Sequence, residues 1–442
     1  MAQANGETTL QQRIEIVERA KAGESDAEIA QVLSYSVWTV RKWRRQERDH
    51  GRAGLSPKQG RPATGALGTA SPEIREAVRT MRQANPGWGP ETIRIELGQD
   101  ERFRGQPIPS RPRIAAFLKQ EGLTRRYERH SELAQPPPAT ATVVHEEWEL
   151  DAQGVVKVDG IGSVCVINIS DLVSRIKVGG QVCIHCSKPS TPDYQLACRL
   201  AFLRYGLPQR ISLDHDSAFY DNKSASPFPL LFHLWLIALG IQVRFITQPP
   251  PLEHAVIERS HQVVYQQALQ GQTYLDQVAC QQGVDLRLDF LNQVFPSRSL
   301  HGQAPLQAYP HARHSGRDYH PDQELDMLSL DRVYAYLAQH RWFRQVSEQG
   351  QFSLGAHRYG VGRSYAGQTI EITFDPSTEC LHCLPERGDE WLPMPILGLS
   401  LHELSGGWPP WHQLPRYQHR LPLDAQTRRN LMLQQAMTGT TL

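Results

Sequence analysis

At 442 residues, 40% hydrophobic and 21% charged, the chain has an ordinary globular composition and length enough for roughly two to four domains. It contains no apolar run of about 18 residues, the longest candidate being "PLLFHLWLIALGI" at 229–241, and "MAQANGETTLQQR" lacks a charged-then-apolar leader pattern, so neither a membrane span nor secretion is expected. The net charge of +1 hides an asymmetry: residues 1–130 hold 23 Lys and Arg against 16 Asp and Glu, and a basic front on an acidic body points to an anionic partner, nucleic acid before membrane.

Seven cysteines, an odd number in a long chain, argue for reduced thiols and an intracellular protein. The pairs Cys183/Cys186 and Cys380/Cys383 have zinc-like spacing but lie far apart on segments that read as strands, so buried small side chains are the expected role.

Residues 10–50 predict three short helices, with Ile14, Val17 and Ala20, then Ile29, Val32 and Leu33, then Val37, Val40 and Trp43 facing inward. Gly23 ends the first, and Ser25 with Glu28 forms a capping box that starts the second after a tight turn. The third begins near Ser36 and leaves Trp38, Thr39, Arg41, Lys42, Arg44 and Arg45 on its outer face, a set suited to phosphates and major-groove edges. This is the helix-turn-helix pattern.

Residues 51–70 read as a Gly/Pro/Ser linker in which Arg61, in "GRP", is a weak candidate for a minor groove. A second helical module is expected over 71–130, again a helix-turn-helix, with Arg111 and Arg113 at the start of its last helix and Trp88 plugging its small core. The proline-rich stretch 131–145 marks a further boundary.

Beyond it the pattern turns to strands: "EEWELDAQG", "GSVCVINISD" and "KVGGQVCIHC", then helix "TPDYQLACRLAFLRYG" capped by Thr191, strand "QRISLD", helix, strand "IQVRFIT" and helix "HAVIERSHQVVYQQALQ". That order predicts an α/β layered sheet over 146–312. Asp151 ends the first strand, Asp214 follows "QRISL", and Glu258 sits on the last of these helices. A carboxylate at a strand exit is often only a cap or turn former. If the first and "QRISLD" strands are neighbours, however, Asp151 and Asp214 meet and Glu258 can complete a cluster, which would repel itself unless a hard divalent cation sat between its members. Asp216 competes with Asp214 for that role; Asp171, Glu253 and His254 read as turn, cap and loop residues.

Four stretches resemble one family: "WELD", "DHDSAF", "VIERSHQ" and "FPSRSLHGQAPLQAY" look like the motifs of transposases and integrases with an RNase H-like core and an Asp, Asp, Glu triad, particularly bacterial insertion-sequence transposases. The tandem helix-turn-helix front is also similar, so the likeness spans about residues 10–375. It implies that Asp151, Asp214 and Glu258 hold two Mg²⁺ ions, with Mn²⁺ able to substitute. It further implies cleavage at an element's end followed by attack of the freed 3′-OH on target DNA. Double-stranded DNA of element ends and target, a homo-oligomer on DNA and an ATPase accessory protein are the implied partners, and the bacterial cytoplasm, at the nucleoid, the implied location. The sequence departs where His215 and Asp216 stand for the family's usual Asn and Gly, where His254 and Ala255 replace an Asn-Gly, and where the 43 residues between Asp214 and Glu258 exceed the usual spacing; "YDNKSASPFP" absorbs the excess. Arg259 is read as a phosphate contact beside Glu258.

Residues 328–398 contain a stretch, 341–385, that alternates between glycine turns and is expected to form a small β-barrel, with Arg341, Arg344, His357, Arg358 and Arg363 as candidates for a DNA backbone. Residues 399–442 read as a tail with a terminal helix that could dock on a neighbouring subunit or the ATPase.

Overall fold

In a computed structural model, residues 8–56, 65–124, 140–184, 188–222, 224–246 and 255–406 are described. The chain divides into two compact units, one of residues 1–76 and 105–124, the other of 77–104 and 125–442. Arg61, Glu253, His254 and the expected terminal helix lie outside the described residues.

The first unit opens with α1 (Leu10–Lys21), α2 (Asp26–Val32) and α3 (Val37–His50). Each starts at a hydroxyl residue whose side chain accepts a hydrogen bond from the backbone three residues on: Thr9, Ser25 and Ser36. The Ser25/Glu28 capping box is present, with Ser25 N donating to Glu28 Oε2 at 2.8 Å. The three-helix core is Ile16, Ile29, Ala30 and Val40, against which Leu33, Val37 and Trp43 pack. Ile16 and Ala30 thus take the central places expected for Ile14 and Val32, and Val32 is exposed. Periodicity defines a stripe; which edge of it faces inward depends on how the helices cross.

Helices α4 (Pro72–Ala84), α5 (Pro90–Gln99) and α6 (Arg111–Gln120) form the second helical set; α4 and α6 contribute to the first unit, α4 and α5 to the second. Within the second unit Trp88 is half-buried. Its indole N–H donates to Gln267 O at 3.2 Å, and the Arg287 guanidinium lies 4.5 Å from its ring centre. A Cβ at Gly87 would come 1.9 Å from the Gln266 carbonyl, so this approach requires glycine there. Trp88 therefore packs inside the larger unit, against residues 266–290, which offer it both a carbonyl and a cation.

The main sheet comprises β1 (Glu147–Ala152), β2 (Val156–Val158), β3 (Gly162–Asp171), β4 (Lys177–Ile184), β5 (Arg210–Leu213) and β6 (Gln242–Phe245). Its order is β2-β3-β1-β5-β6, with β4 on β3. The pairs β1/β3 and β3/β4 are antiparallel, β1/β5 and β5/β6 parallel. The short antiparallel connections link neighbours directly, whereas the parallel strands need α7 (Thr191–Tyr205) and α8 (Leu231–Ala238) as crossovers. Three antiparallel strands continued by two parallel ones on the first is the RNase H-like arrangement expected from the motifs. Ser190, not Thr191, caps α7. Beyond β6 come α9 (Ala255–Val264), a π-helical turn at Tyr265–Leu269, and α10 (Gln277–Gln293).

The expected barrel is not there. Residues 342–395 give β7 (Trp342–Gln345), β8 (Gln351–Leu354), β9 (His357–Gly360), β10 (Thr369–Asp375), β11 (Cys380–Pro385) and β12 (Leu392–Pro395). They form an open four-stranded sheet, β12-β11-β10-β7, and a separate β8-β9 hairpin; among the described residues neither closes. The physical reason lies in what covers the apolar face: Ile370, Ile372, Phe374, Leu381 and Cys383 are buried in the same core as Trp148, Phe202 and Trp235. A sheet that buries its face against a neighbouring layer has no need to wrap on itself, and strict alternation is the pattern of either solution. The "YDNKSASPFP" excess joins this sheet to the core: Phe228 packs edge-on to Trp342 at 4.9 Å, and Trp342 Nε1 donates to Pro227 O at 3.2 Å.

Candidate functional site

Helix α3 presents its charged set outward. Trp38 is 70% exposed, the exposed Lys42 ammonium lies 5.6 Å from its ring centre, and Arg45 is exposed. Thr39 is partly turned inward, its hydroxyl 2.8 Å from Ser36 Oγ. Arg41 and Arg44 both donate to Asp26 at the start of α2. Arg13, which sequence reasoning passed over, lays its guanidinium 4.0 Å from the Trp43 ring centre and steadies the helix from behind. On α6 Arg111 is exposed, while Arg113 donates to Ala66 O at 3.0 Å and to Thr69 Oγ1 at 2.6 Å, so its guanidinium is committed to the turn at residues 65–69.

The acids lie in the larger unit. On β1, Trp148 and Leu150 join the core on one sheet face, while Glu147, Glu149 and Asp151 alternate onto the other, where α9 packs. The β1/β5 register pairs Glu147 with Arg210, Trp148 with Ile211 and Glu149 with Ser212. Carried on residue by residue, it sets Asp151 beside Asp214, just past the end of β5. Burial first, then the charges of Asp216 and Asp151, with Cys165 and Asp214 after them, hold the proton on the buried Tyr194 phenol.

Each carboxylate is already engaged. Asp214 Oδ1 accepts from Asp216 N at 2.9 Å. Asp216 accepts from Ala218 N at 2.7 Å and pairs with Lys188 at 2.8 Å. Asp151 accepts from Ala152 N at 2.8 Å and lies 3.0 Å from His261 Nε2. Asn168 Nδ2 lies 2.8 Å from His261 Nδ1, so the imidazole bridges Asn168 and Asp151. Glu258, exposed in the first turn of α9, precedes His261 by three residues and so shares its side of the helix. Arg259 is exposed and donates to Gln262. Sequence reasoning missed His261, although helical spacing from Glu258 put it one turn along the same face.

Beneath Asp151, buried Glu149 Oε2 accepts from Ile257 N at 2.9 Å, and burial pushes its carboxyl up to about 7. Ser170 Oγ donates to Ser260 Oγ at 3.2 Å. These contacts fix the helix carrying Glu258 against β1 and β3. Asp171 is a buried turn former, accepting from Ser174 N at 2.7 Å and His145 N at 2.8 Å.

Asp151, Asp214 and Glu258 are hard oxygen donors, the chemistry that suits Mg²⁺ or Mn²⁺. As placed they do not converge: among the described residues no three His, Cys, Asp or Glu side chains are grouped to hold a metal ion. Of the paired cysteines, Cys380 is only half-buried. Cys183 and Cys383 are buried, and burial pushes the Cys383 thiol up to about 12; Cys186 lies outside the described residues. In the open sheet, Arg344 is not available to a DNA backbone, because it donates to Ser226 O at 2.7 Å and Ser353 O at 3.0 Å and pairs with Asp221. Arg341 pairs with Glu371, and Arg358 and Arg363 are exposed, with His357 half-buried.

A family model described as a helix-turn-helix domain matches residues 12–63, and one described as a homeodomain-like domain matches 39–118. Among solved structures, the HTLV-2 integrase catalytic core domain in complex with magnesium (dimeric form) is 16% identical, covers 38% of this chain and 97% of its own, with a TM-score of 0.28. The BIV integrase catalytic core domain is 16% identical over 38% of this chain and 95% of its own, TM-score 0.28. The simian T-cell lymphotropic virus intasome in complex with PP2A regulatory subunit B56 gamma is 10% identical over 72% of this chain and 99% of that one, TM-score 0.31. Likenesses this distant lend no weight to a reading of function. The chain carries N-terminal helix-turn-helix domains, and its strand order is that of an RNase H-like core. No helix among the described residues is long and apolar enough to cross a membrane.

Proposed function

We propose that this protein is a DNA transposase of the Asp-Asp-Glu type, which reads element ends through its helical modules and cleaves and joins DNA at Asp151, Asp214 and Glu258. The observation that carries the reading is the parallel β1/β5 pairing of Glu147–Glu149 with Arg210–Ser212, which runs towards Asp151 on β1 and Asp214 just past β5, with the helix that bears Glu258 packed on β1. Reactive groups at the carboxyl ends of parallel strands are where an open α/β sheet leaves a crevice for substrate. Dependence on two Mg²⁺ ions, with Mn²⁺ substituting, belongs to this reading. Since the three carboxylates are not grouped as placed, the residues' own part is limited to what they hold. Glu149 fixes the first turn of α9, His261 contacts Asp151, and Lys188 pairs with Asp216. A homo-oligomer follows from the need to join two ends at once, and an ATPase accessory protein and a place at the bacterial nucleoid remain part of the proposal.

A second reading is a non-catalytic, sequence-specific DNA-binding protein derived from such an enzyme, favoured by His261 on Asp151 and the absence of a three-donor group among the described residues. Strand-transfer assays with Mg²⁺ on the wild type, Asp214→Asn and Asp216→Asn separate the two. Transposition predicts at least a thousandfold less product from Asp214→Asn, about 4 kcal/mol in the barrier, and much less effect from Asp216→Asn. Equal product from the wild type and Asp214→Asn removes the catalytic role. DNA binding with no product from the wild type supports the second reading.

A further inference from the structure

The charged face of α3 is not a free row of cations. Arg41 Nε donates to Asp26 Oδ2 at 3.3 Å, and Arg44 donates to Asp26 Oδ1, so one carboxylate on the neighbouring helix ties down both. Asp26 is not needed to start its own helix. The α2 N-terminus is already satisfied by the Ser25/Glu28 box, in which Glu28 Oε2 accepts from both Ser25 N at 2.8 Å and Ser25 Oγ at 2.7 Å. The Asp26 side chain instead reaches to α3, remains about a fifth exposed, and is held below the usual carboxylate range by Arg44 above all.

We propose that Asp26 is a specificity-determining residue that withholds Arg41 and Arg44 from DNA phosphates and presents their guanidinium planes for hydrogen bonding to guanine edges. The inference rests on the DNA reading above. A phosphate anywhere on a duplex is a monotonous acceptor, and a cation already neutralised gains little from meeting one. A guanine edge offers the paired O6 and N7 acceptors that a pre-oriented fork can match. Asp26 therefore reduces binding to every sequence, but least where a guanine stands opposite an arginine. Lys42 and Arg45, exposed on the same helix, are left to supply the sequence-independent attraction.

The test compares the full-length wild type, Asp26→Asn and Asp26→Ala for binding to a random-sequence duplex and to the site that the wild type enriches from a random duplex library, across a range of salt. Both variants leave the capping box intact, and far-ultraviolet circular dichroism checks that the helices persist. Release of two arginines predicts tighter binding to the random duplex and a steeper salt dependence, by about 1 to 2 in the slope of log K against log salt. The preference for the enriched site should fall by about tenfold, the scale of one lost base contact. Adding Arg41→Gln and Arg44→Gln to Asp26→Asn should abolish the gain. Unchanged slope and preference in both variants, with helices intact, overturn the role of Asp26 and leave the DNA reading standing. Absence of any duplex binding by the wild type overturns both.

Discussion

The α1–α3 front and the larger unit are stabilised in opposite ways. In the front, the charged groups pair at the surface and over short distances in sequence: Ser25 with Glu28 three residues apart, Arg41 and Arg44 with Asp26 fifteen and eighteen apart. The larger unit has surface pairs too, but it also takes some charge inside and pairs it across the chain. Arg199 and Glu324, with side chains 8% and 7% exposed, lie 125 residues apart, and Arg244 and the buried Glu147 lie 97 apart. Surface pairs contribute little to stability but stay available to a ligand, whereas buried pairs tolerate no unpartnered member. A reader of DNA benefits from the first condition, and a platform that must hold acids in register benefits from the second.

The sharpest way to break this contrast is to remove one buried partner. Glu324 accepts from Arg199 through both oxygens, from Trp235 Nε1 at 3.1 Å and from the Tyr319 hydroxyl. Glu324→Ala leaves the Arg199 guanidinium buried with Ser405 O as its remaining carbonyl partner, and should cost about 3–5 kcal/mol in urea unfolding of the larger unit. A loss below about 1 kcal/mol would place this pair with the surface ones and undo the distinction.

A second, smaller effect comes with acid. Burial, then the charge of His340, push the His233 imidazole down to about 4 from its ordinary 6.5. The unfolded chain therefore takes up a proton below pH 6.5 that the folded chain refuses until about pH 4. The stability held above pH 6.5 is lost as pH falls through that window, by up to about 3 kcal/mol. His233→Phe keeps the ring packing against Phe245 and Tyr336, at 5.3 and 5.2 Å, and should flatten the acid limb of urea stability measured between pH 7 and 4. Parallel limbs for the two proteins would show that His233 does not drive the acid sensitivity.

The same contrast governs what could be read from the residues beforehand. The starts of α2 and α3 were legible because Ser25 and Ser36 act on atoms three residues away, and β3 was legible because "GSVCVINISD" carries the β-branched Val164, Val166, Ile167 and Ile169 in one short run. The strand bearing Asp151 and the strand that ends before Asp214 could be placed, but their adjacency is a property of the sheet and became visible only in the pairing. Helical spacing put His261 on the side of Glu258, but its contact with Asp151 depends on the rotation of α9 over β1, which 110 residues of separation do not reveal. The barrel failed for a related reason: β10 and β11 alternate buried and half-buried residues throughout, and nothing in that alternation says whether the apolar face closes on itself or lies on a core contributed by residues two hundred positions earlier.

The smallest test lies in the front, where the local rule can be checked on α3, the helix proposed to read DNA. Ser36 Oγ accepts from Thr39 N at 3.1 Å, and both flank Trp38 in the first turn of α3. Ser36→Ala removes an N-cap worth about 1 kcal/mol, and because the turn is three residues long the loss should stay there. Hydrogen exchange should quicken at Thr39 and Val40 with no change in the strands of the larger unit, and binding to DNA should weaken by about fivefold, the equivalent of 1 kcal/mol. Ser36→Thr, which keeps the hydroxyl, should restore both. Faster exchange spreading through β1 or β5 would mean that the front is not governed by its local contacts at all.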